Sequence, residues 1–149
     1  EGAAFFMLGA EKNEHSYAKL NGLKTIYKPE NNAEIEKHIQ ELLAEKGLTT
    51  NDIDLVIYGI NGDARYDNVY YDLKNGLLKD ASACYFKHLC GEYQTASSFA
   101  MWIASMILKT QTIPASVLIG EQKRKTVKNI LIYNTFLNTD HSVFLLSQC

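Results

Sequence analysis

The stretch KHLCGEYQTASSF, residues 87–99, contains residue types whose spacing could support chemistry. His88, Cys90 and Glu92 stand at every second position. A cysteine with a histidine as its base is the arrangement of a nucleophilic site. In an extended backbone the side chains of His88 and Cys90 would share one face, about 6–7 Å apart, too far for a direct hydrogen bond. We therefore expect Cys90 to be a small buried thiol rather than a nucleophile.

The composition describes a globular chain and gives no reason to expect several classes of partner. With 149 residues, 46% hydrophobic and 21% charged, residues 1–149 suit one domain with its own core. The net charge of -2 does not call for nucleic acid or an anionic membrane. The longest apolar run, around residues 99–108, is far shorter than the roughly 20 residues of a membrane helix.

The cysteines and histidines bound the site chemistry and the compartment. Three cysteines, an odd number, do not make a disulfide framework. With no recognisable signal peptide, a reducing cytoplasm is expected. The four histidines show no metal-ligand spacing, so we expect no metal and no other cofactor. The opening EGAAFFMLGA does not start with methionine and begins inside a strand-like run, which indicates a fragment or a processed or trimmed chain.

The elements that must position these residues alternate between strands and helices. Asn31 or Asn32 is expected to cap the first helix, Gly47 to end it, and Asp67 to cap the second. The order of elements indicates an α/β sheet with helices on both faces. The third helix is apolar or small on nearly all sides, which is typical of a helix buried between layers. Strands are predicted at residues 3–10, 18–29, 53–58, 82–86, 128–136 and 141–147, and helices at residues 31–47, 67–78 and 95–111.

Four stretches, in this order and with fitting spacing, resemble the C-terminal half of a β-ketoacyl-acyl carrier protein synthase of the thiolase-like superfamily. The resemblance covers essentially the whole chain, whereas the family's N-terminal half, which carries the nucleophilic cysteine, has no counterpart. It implies a thiolase-like half-unit: a mixed five-stranded sheet with helices on both faces. The matching strings are EGAAFFMLGAEKNEHSYAKLNGLKTIYKP, LLAEKGLTTNDIDLVIYGINGDARYD, KHLCGEYQTASSFAMWIASMILKTQTIP and NILIYNTFLNTDHSVFLLS.

The resemblance also implies which positions would carry the family's chemistry. Family members join acyl chains, and two histidines donate hydrogen bonds to the thioester enolate that forms on decarboxylation of malonyl. The first of these histidines falls on Gly59 and the second on Glu92. Glycine has no side chain to donate, and an ionised glutamate only accepts and would repel an enolate or a malonyl carboxylate. The resemblance therefore implies a vestigial pocket at Gly59, Lys87 and Glu92, with no catalytic residue assigned in this chain.

A counter-charge for the family's lysine is expected to have moved. Lys87 keeps that lysine, but Met101 stands where a carboxylate usually accompanies it. Glu92 is a candidate replacement, the alternative being that Lys87 and Glu92 both point to solvent.

Four further positions match substrate-binding parts of the family. Asn61 and Asp63 stand at two family threonines, Phe136 is kept, and Asn138 replaces part of the glycine-rich loop of the final hairpin. The resemblance implies that these four residues contact the substrate. Because the glycines are lost, the loop is not expected to move as it does in the family.

Three functions remain open from the sequence. In the first, the chain is the C-terminal domain of a catalytically degenerate subunit in fatty-acid or polyketide-type chain elongation. Like a chain-length factor, it would form a dimer with an active ketosynthase; its expected partners are the N-terminal half or that ketosynthase subunit, and an acyl carrier protein. In the second, it belongs to an active acyltransferase with altered chemistry. In the third, it is a non-catalytic carrier-protein-binding module whose basic loop, residues 123–128, contacts an acidic carrier.

Overall fold

A computed structural model describes residues 3–149 and places a mixed sheet with α-helices on both faces in this part of the chain. The six strands found there are β1 (Lys19–Tyr27), β2 (Leu55–Tyr58), β3 (Ser82–Tyr85), β4 (Leu118–Ile119), β5 (Asn129–Phe136) and β6 (Asp140–Ser147). The α-helices of the same part are α1 (Asn32–Ala44), α2 (Asn68–Asn75), α3 (Lys87–Cys90) and α4 (Ala96–Thr110).

The order of the strands brings the candidate residues together at the carboxyl ends of the central parallel strands. The order is β1-β6-β5-β2-β3-β4. Strand β2 is parallel to both β3 and β5, whereas β6 is antiparallel to β5 and to β1. The carboxyl ends of β2, β3 and β5 therefore lie side by side, the place where open α/β sheets usually bind ligands. Gly59 follows β2, Lys87 follows β3 closely, and Phe136 ends β5.

Alternation along the central strands divides the core into two layers. Val56 and Tyr58 of β2 pack with the buried residues of α1 and α2 on one face of the sheet. Leu55 and Ile57 pack with those of α4 on the other face. The expectation of helices on both faces is confirmed.

The first helix forms as its periodicity predicts. The side chain of Asn31 accepts a hydrogen bond from the Glu34 N–H at 3.1 Å and so caps α1. The buried face of this helix is the predicted one, made of Ile35, Ile39, Leu42 and Leu43.

Helix α4 buries one face only in the described chain. Ala100, Ile103 and Ile107 are buried against the sheet. On the opposite side Trp102 is 47% exposed and stacks on Phe99, with ring centroids 5.6 Å apart. The sequence predicted a helix buried between two layers, and residues 3–149 supply only one of them.

Two predictions about the strands are wrong. Residues 3–10 form no strand, and Phe5, Met7 and Leu8 are 96%, 100% and 80% exposed. An apolar run becomes a strand only when it pairs with a sheet edge, and residues 3–10 pair with none. The sheet has six strands and not the predicted five. The additional strand, β4, has two residues, which is too short for the sequence to show any alternation.

Among the described residues no helix is long and apolar enough to cross a membrane.

Candidate functional site

An ion pair with a buried ammonium occupies the position of the second family histidine. Lys87 opens α3, and its side chain is 1% exposed. Gly91, at a φ of 82°, turns the chain after α3 so that Glu92 folds back on Lys87. The Lys87 Nζ donates to Glu92 Oε2 at 2.6 Å, and Asn61 Nδ2 donates to the same oxygen at 2.9 Å. The expected counter-charge is present, and the Glu92 carboxylate serves as an acceptor for two donors.

The space beside Gly59 is already filled. A Cβ atom at this position would collide with Asn134 Oδ1 and would lie 2.8 Å from Tyr70 Oη. The Asn134 side chain is held there because its Nδ2 donates to Ser97 Oγ at 3.0 Å. The structure therefore has no room for a side chain at position 59, and a histidine there would have to displace Asn134.

The loop after β2 is organised by a buried carboxylate. Asp67 is 3% exposed and accepts hydrogen bonds from the backbone N–H groups of Gly62 at 2.8 Å and Asn61 at 3.3 Å. Asp67 does stand at the N-cap position of α2, but its side chain does not cap the helix. The capping prediction is wrong because the preceding loop brings its own N–H groups to the carboxylate. The loop thereby points Asn61 at Glu92.

An exposed ion pair lies on the outer side of the same loop. The Arg65 guanidinium donates to Asp63 through Nη2 at 2.6 Å and Nε at 3.0 Å. These bonds, together with one from the Arg65 backbone N–H, lower the pKa of Asp63 to about 2. Asp63 is therefore ionised at neutral pH and already has its own cation.

A buried tyrosine joins α2 to the end of β5. Tyr70 Oη accepts from the Thr135 N–H at 3.0 Å and lies 3.4 Å from the Thr135 carbonyl oxygen, to which it donates. Burial raises the pKa of Tyr70 well above its usual value, so the hydroxyl stays protonated. Among the described residues, Thr135 Oγ1 and Asn134 Oδ1 are buried and find no hydrogen-bond partner.

These groups surround a cavity of about 200 Å³ at the carboxyl ends of the parallel strands. Of the four predicted substrate contacts, Asn61, Asp63 and Phe136 line it; Asn138 does not, and Leu137 lines it instead. Lys87 and Gly59 are not among the lining residues either, although Glu92 is. The lining consists of Asn61, Asp63, Arg65, Tyr66, Asp67, Tyr70, Glu92, Thr135, Phe136 and Leu137.

Sequence reasoning did not assign a site role to Arg65 or Thr135, and for Tyr70 it favoured a place in the core or an interface over one in the lining of an acyl tunnel. Arg65 lies between two motif positions, and Thr135 lies between the two retained residues of the final strand. Their place within the family's motifs was therefore the sequence signal that could have identified them as site residues. Tyr70 reaches the cavity from α2, and nothing local in the sequence indicates its contact with Thr135.

The cysteine and histidine of the opening motif are not a nucleophilic pair. Their backbone forms the short helix α3 rather than an extended strand. The His88 Nε2–H donates to the Ser116 carbonyl at 2.8 Å, and the His88 ring stacks on Tyr85. Cys90 Sγ contacts the carbonyl oxygens of Phe86 and Gly91, and burial raises its pKa. Cys90 is the buried thiol that the sequence predicted.

The basic loop has fewer free cations than its sequence suggests. Arg124 donates to Asp54 Oδ1 at 3.2 Å and to the Asn51 carbonyl at 2.6 Å. The ammonium group of Lys123 donates to the carbonyl of Lys79. Contact between this loop and a carrier protein stays a prediction, and Lys125 and Lys128 are exposed there in addition to Lys123. Within residues 3–149 no group of three or more His, Cys, Asp or Glu side chains is placed to hold a metal ion.

Comparison with known proteins places the fold among the ketosynthases. No family model and no curated protein matches the chain. Solved structures do match. The ishigamide ketosynthase/chain length factor has a TM-score of 0.72 at 14% identity over 89% of this chain and 38% of its own. A type II polyketide synthase acyl-carrier protein in complex with its ketosynthase bound to the hexaketide gives 0.73 at 13% identity, over 91% and 39%.

A third structure agrees with these two. Ketosynthase twelve of the bacillaene polyketide synthase of Bacillus amyloliquefaciens gives a TM-score of 0.69 at 16% identity, over 91% of this chain and 31% of its own. At such identities the likeness establishes the fold alone. The chain has the thiolase-like fold of ketosynthases, and it spans between 31% and 39% of the length of these three chains, as a half-unit would.

Proposed function

We propose that this chain is the C-terminal half of a ketosynthase-like subunit that has lost the condensation chemistry. It acts in fatty-acid or polyketide-type chain elongation by pairing with an active ketosynthase and shaping the space that holds the acyl chain. The observation that carries the proposal is the bond between Glu92 and Lys87. An ionised carboxylate that accepts from an ammonium and an amide has no proton to donate to an enolate.

The surroundings of Gly59 support the same conclusion. The Asn134 amide lies where a side chain at position 59 would begin, so the first donor is missing as well. Preorganised donors aimed at a developing oxyanion are commonly worth about 3–4 kcal/mol each in the transition state. A site that lacks both retains the scaffold of the family and little of its catalytic power.

The partners follow from the open side of α4 and from the known relatives of the fold. Phe99 and Trp102 present stacked aromatic rings on a helix that the described chain covers on one side only. The N-terminal half of the same subunit is the proposed cover, since the similar structures are more than twice as long as this chain. A ketosynthase subunit and an acyl carrier protein are the proposed further partners, in the cytoplasm.

The test is a condensation assay on the subunit that contains this chain together with its N-terminal half. Acyl and malonyl thioesters of the carrier protein are supplied with the subunit alone, and then with an active ketosynthase. We expect no condensation product from the subunit alone, and products of altered chain length when the ketosynthase is present. Condensation by the unaided subunit would refute the proposal.

The acyltransferase alternative has a separate readout. Mass spectrometry of the intact subunit after incubation with an acyl thioester would detect a covalent acyl adduct. Burial raises the pKa of both Cys84 and Cys90, so these thiols are poor nucleophiles. We expect neither of them to carry an adduct, and an adduct on the N-terminal half would favour the acyltransferase.

A further inference from the structure

The geometry points to a self-catalysed amide bond between the side chains of Lys87 and Asn61, formed with Glu92 as the base. The three side chains meet at one carboxylate oxygen: Glu92 Oε2 accepts from Lys87 Nζ at 2.6 Å and from Asn61 Nδ2 at 2.9 Å. An amine, a carboxamide and a carboxylate in contact are the groups that a transamidation requires. This inference goes beyond the proposed function and does not depend on it, because all the reacting groups belong to this chain.

Lys87 is placed to act as the nucleophile. Its side chain is 1% exposed, so the amine is shielded from bulk water. A lysine attacks only after its ammonium has lost a proton, and Glu92 Oε2 lies at hydrogen-bond distance to take that proton. Because Lys87 Nζ and Asn61 Nδ2 bond the same oxygen, they are no further apart than the sum of the two bond lengths. The flexible lysine stem has to bring Nζ to about 3–3.5 Å from Asn61 Cγ, the separation of a near-attack geometry.

The carboxamide of Asn61 is held and polarised for this attack. Asn61 Oδ1 accepts a hydrogen bond from the Asp63 N–H at 2.8 Å. Negative charge develops on this oxygen when an amine adds to Asn61 Cγ, and a fixed N–H aimed at a developing oxyanion stabilises it. The competing nucleophile, the backbone nitrogen of Gly62, is engaged elsewhere, because its N–H donates to Asp67 Oδ2 at 2.8 Å. The lysine therefore has the advantage over the cyclisation to which Asn-Gly sequences are prone.

The reaction balances without any added reagent. Glu92 Oε2 takes one proton from the Lys87 ammonium, and the freed lone pair bonds to Asn61 Cγ while the carbonyl π pair moves onto Oδ1. Glu92 then gives that proton to Nδ2 and takes the second proton from the attacking nitrogen. The pair on Oδ1 re-forms the carbonyl, the Cγ–Nδ2 bond breaks with its electrons on nitrogen, and ammonia leaves. The proton on Glu92 departs with the ammonia as ammonium, so the carboxylate is restored and nothing is oxidised or reduced.

The position of the site provides an exit for the leaving group. Asn61 is exposed, and with Glu92 it lines the cavity of about 200 Å³. Ammonia, a molecule the size of water, therefore leaves without crossing the core, and its dilution into solvent makes the reverse reaction negligible. The product ties the loop after β2 to the start of α3. Like a disulfide, it would constrain the unfolded chain between residues 61 and 87.

Mass spectrometry of the purified subunit tests the cross-link. We expect an intact mass below that of the sequence by one molecule of ammonia. Trypsin cannot cut after a lysine whose amine is acylated, so digestion should leave residues 47–65 joined to residues 80–109 through Lys87. The ion pair of Lys24 with Glu41 is the internal control. Among the described residues no carboxamide bonds to that pair, so trypsin should cut after Lys24 as usual.

Three variants assign the roles of the reacting groups. Lys87→Arg keeps the positive charge and removes the amine, Asn61→Ala removes the carboxamide, and Glu92→Gln removes the base while keeping the shape. We expect each variant to have the full mass of its sequence and to give separate tryptic peptides. Asn68→Ala is the matched control, because it removes an exposed carboxamide outside the cavity lining. This variant should still lose one molecule of ammonia.

Two results would overturn the inference. Wild-type protein with the full sequence mass and normal cleavage after Lys87 would show that the three groups form hydrogen bonds and nothing more. A loss of ammonia that persists in Lys87→Arg would assign the loss to cyclisation at an Asn-Gly sequence instead. The wild-type digest decides the matter even if a variant does not fold. Either result leaves the proposed function standing, because that function is measured by condensation and chain length.

Discussion

Substitution of Gly59 by alanine tests whether the first histidine position is closed. The new Cβ would meet Asn134 Oδ1, so the amide must rotate and give up its bond to Ser97. Loss of that hydrogen bond costs about 0.5–1.5 kcal/mol, and overpacking a filled site costs about 1–3 kcal/mol. The lower backbone entropy of alanine in the unfolded chain returns about 0.4–1 kcal/mol. The net expectation is a loss of about 0.5–4 kcal/mol in the free energy of unfolding.

The assay is equilibrium unfolding in urea, followed by circular dichroism. Gly9→Ala is the matched control, because its Cβ would meet nothing closer than the Glu11 carbonyl oxygen at 3.6 Å, an ordinary contact. The double variant Gly59→Ala/Asn134→Ala removes the colliding amide and should cost less than the sum of the two single changes. A neutral Gly59→Ala, or strictly additive single changes, would show that Asn134 does not close the position.

Three further predictions concern the ion pair, a buried histidine and the open helix. Glu92→Gln should lower the free energy of unfolding more than Lys87→Met does. Glu92→Gln leaves an ammonium that is only 1% exposed without its carboxylate, whereas Lys87→Met leaves unpaired a carboxylate that is already 34% exposed. Urea unfolding that gave the reverse order would contradict this prediction. Burial lowers the pKa of the His141 imidazole below 6.5. The stability that the neutral imidazole contributes is therefore present above pH 6.5 and is lost as the pH falls through the folded-state pKa. The wild-type melting temperature should fall between pH 7.5 and 5.5 more steeply than that of His141→Gln, and equal slopes would show that His141 does not cause the loss. Trp102 fluorescence should shift to the blue when the N-terminal half is added, because the exposed ring becomes buried; an unchanged spectrum would argue against a cover over α4.

Local patterns predicted the elements whose formation depends on local features. The periodicity of α1 gave its buried face, and its polar start gave the cap at Asn31. The resemblance implied a mixed sheet with helices on both faces, and the parallel pairing of β2 with β3 and β5 brings the motif positions to one end of these strands. The pairing of Lys87 with Glu92 was one of the two alternatives that the sequence left open, because Met101 cannot supply the carboxylate that usually accompanies the lysine.

The features that the sequence did not predict depend on which groups meet in space. Residues 3–10 have the composition of a strand, but a strand also requires pairing with a sheet edge, and these residues pair with none. Asp67 has the type and position of a helix cap, yet the N–H groups of Asn61 and Gly62 reach its carboxylate. The collision at Gly59 could not be read from a motif either, because it is set by the rotamer that Asn134 adopts.

The pairing of β1 with β6 has a consequence for how the chain folds. Lys19 pairs with Ser147, so this outermost pair of strands joins residues that are 128 positions apart in the sequence. Contacts of such long sequence separation carry a large loop-closure cost and form slowly. During synthesis, β1 has to wait unpaired until β6 has left the ribosome. Slow pairing of these strands leaves apolar residues exposed in the meantime, which favours aggregation.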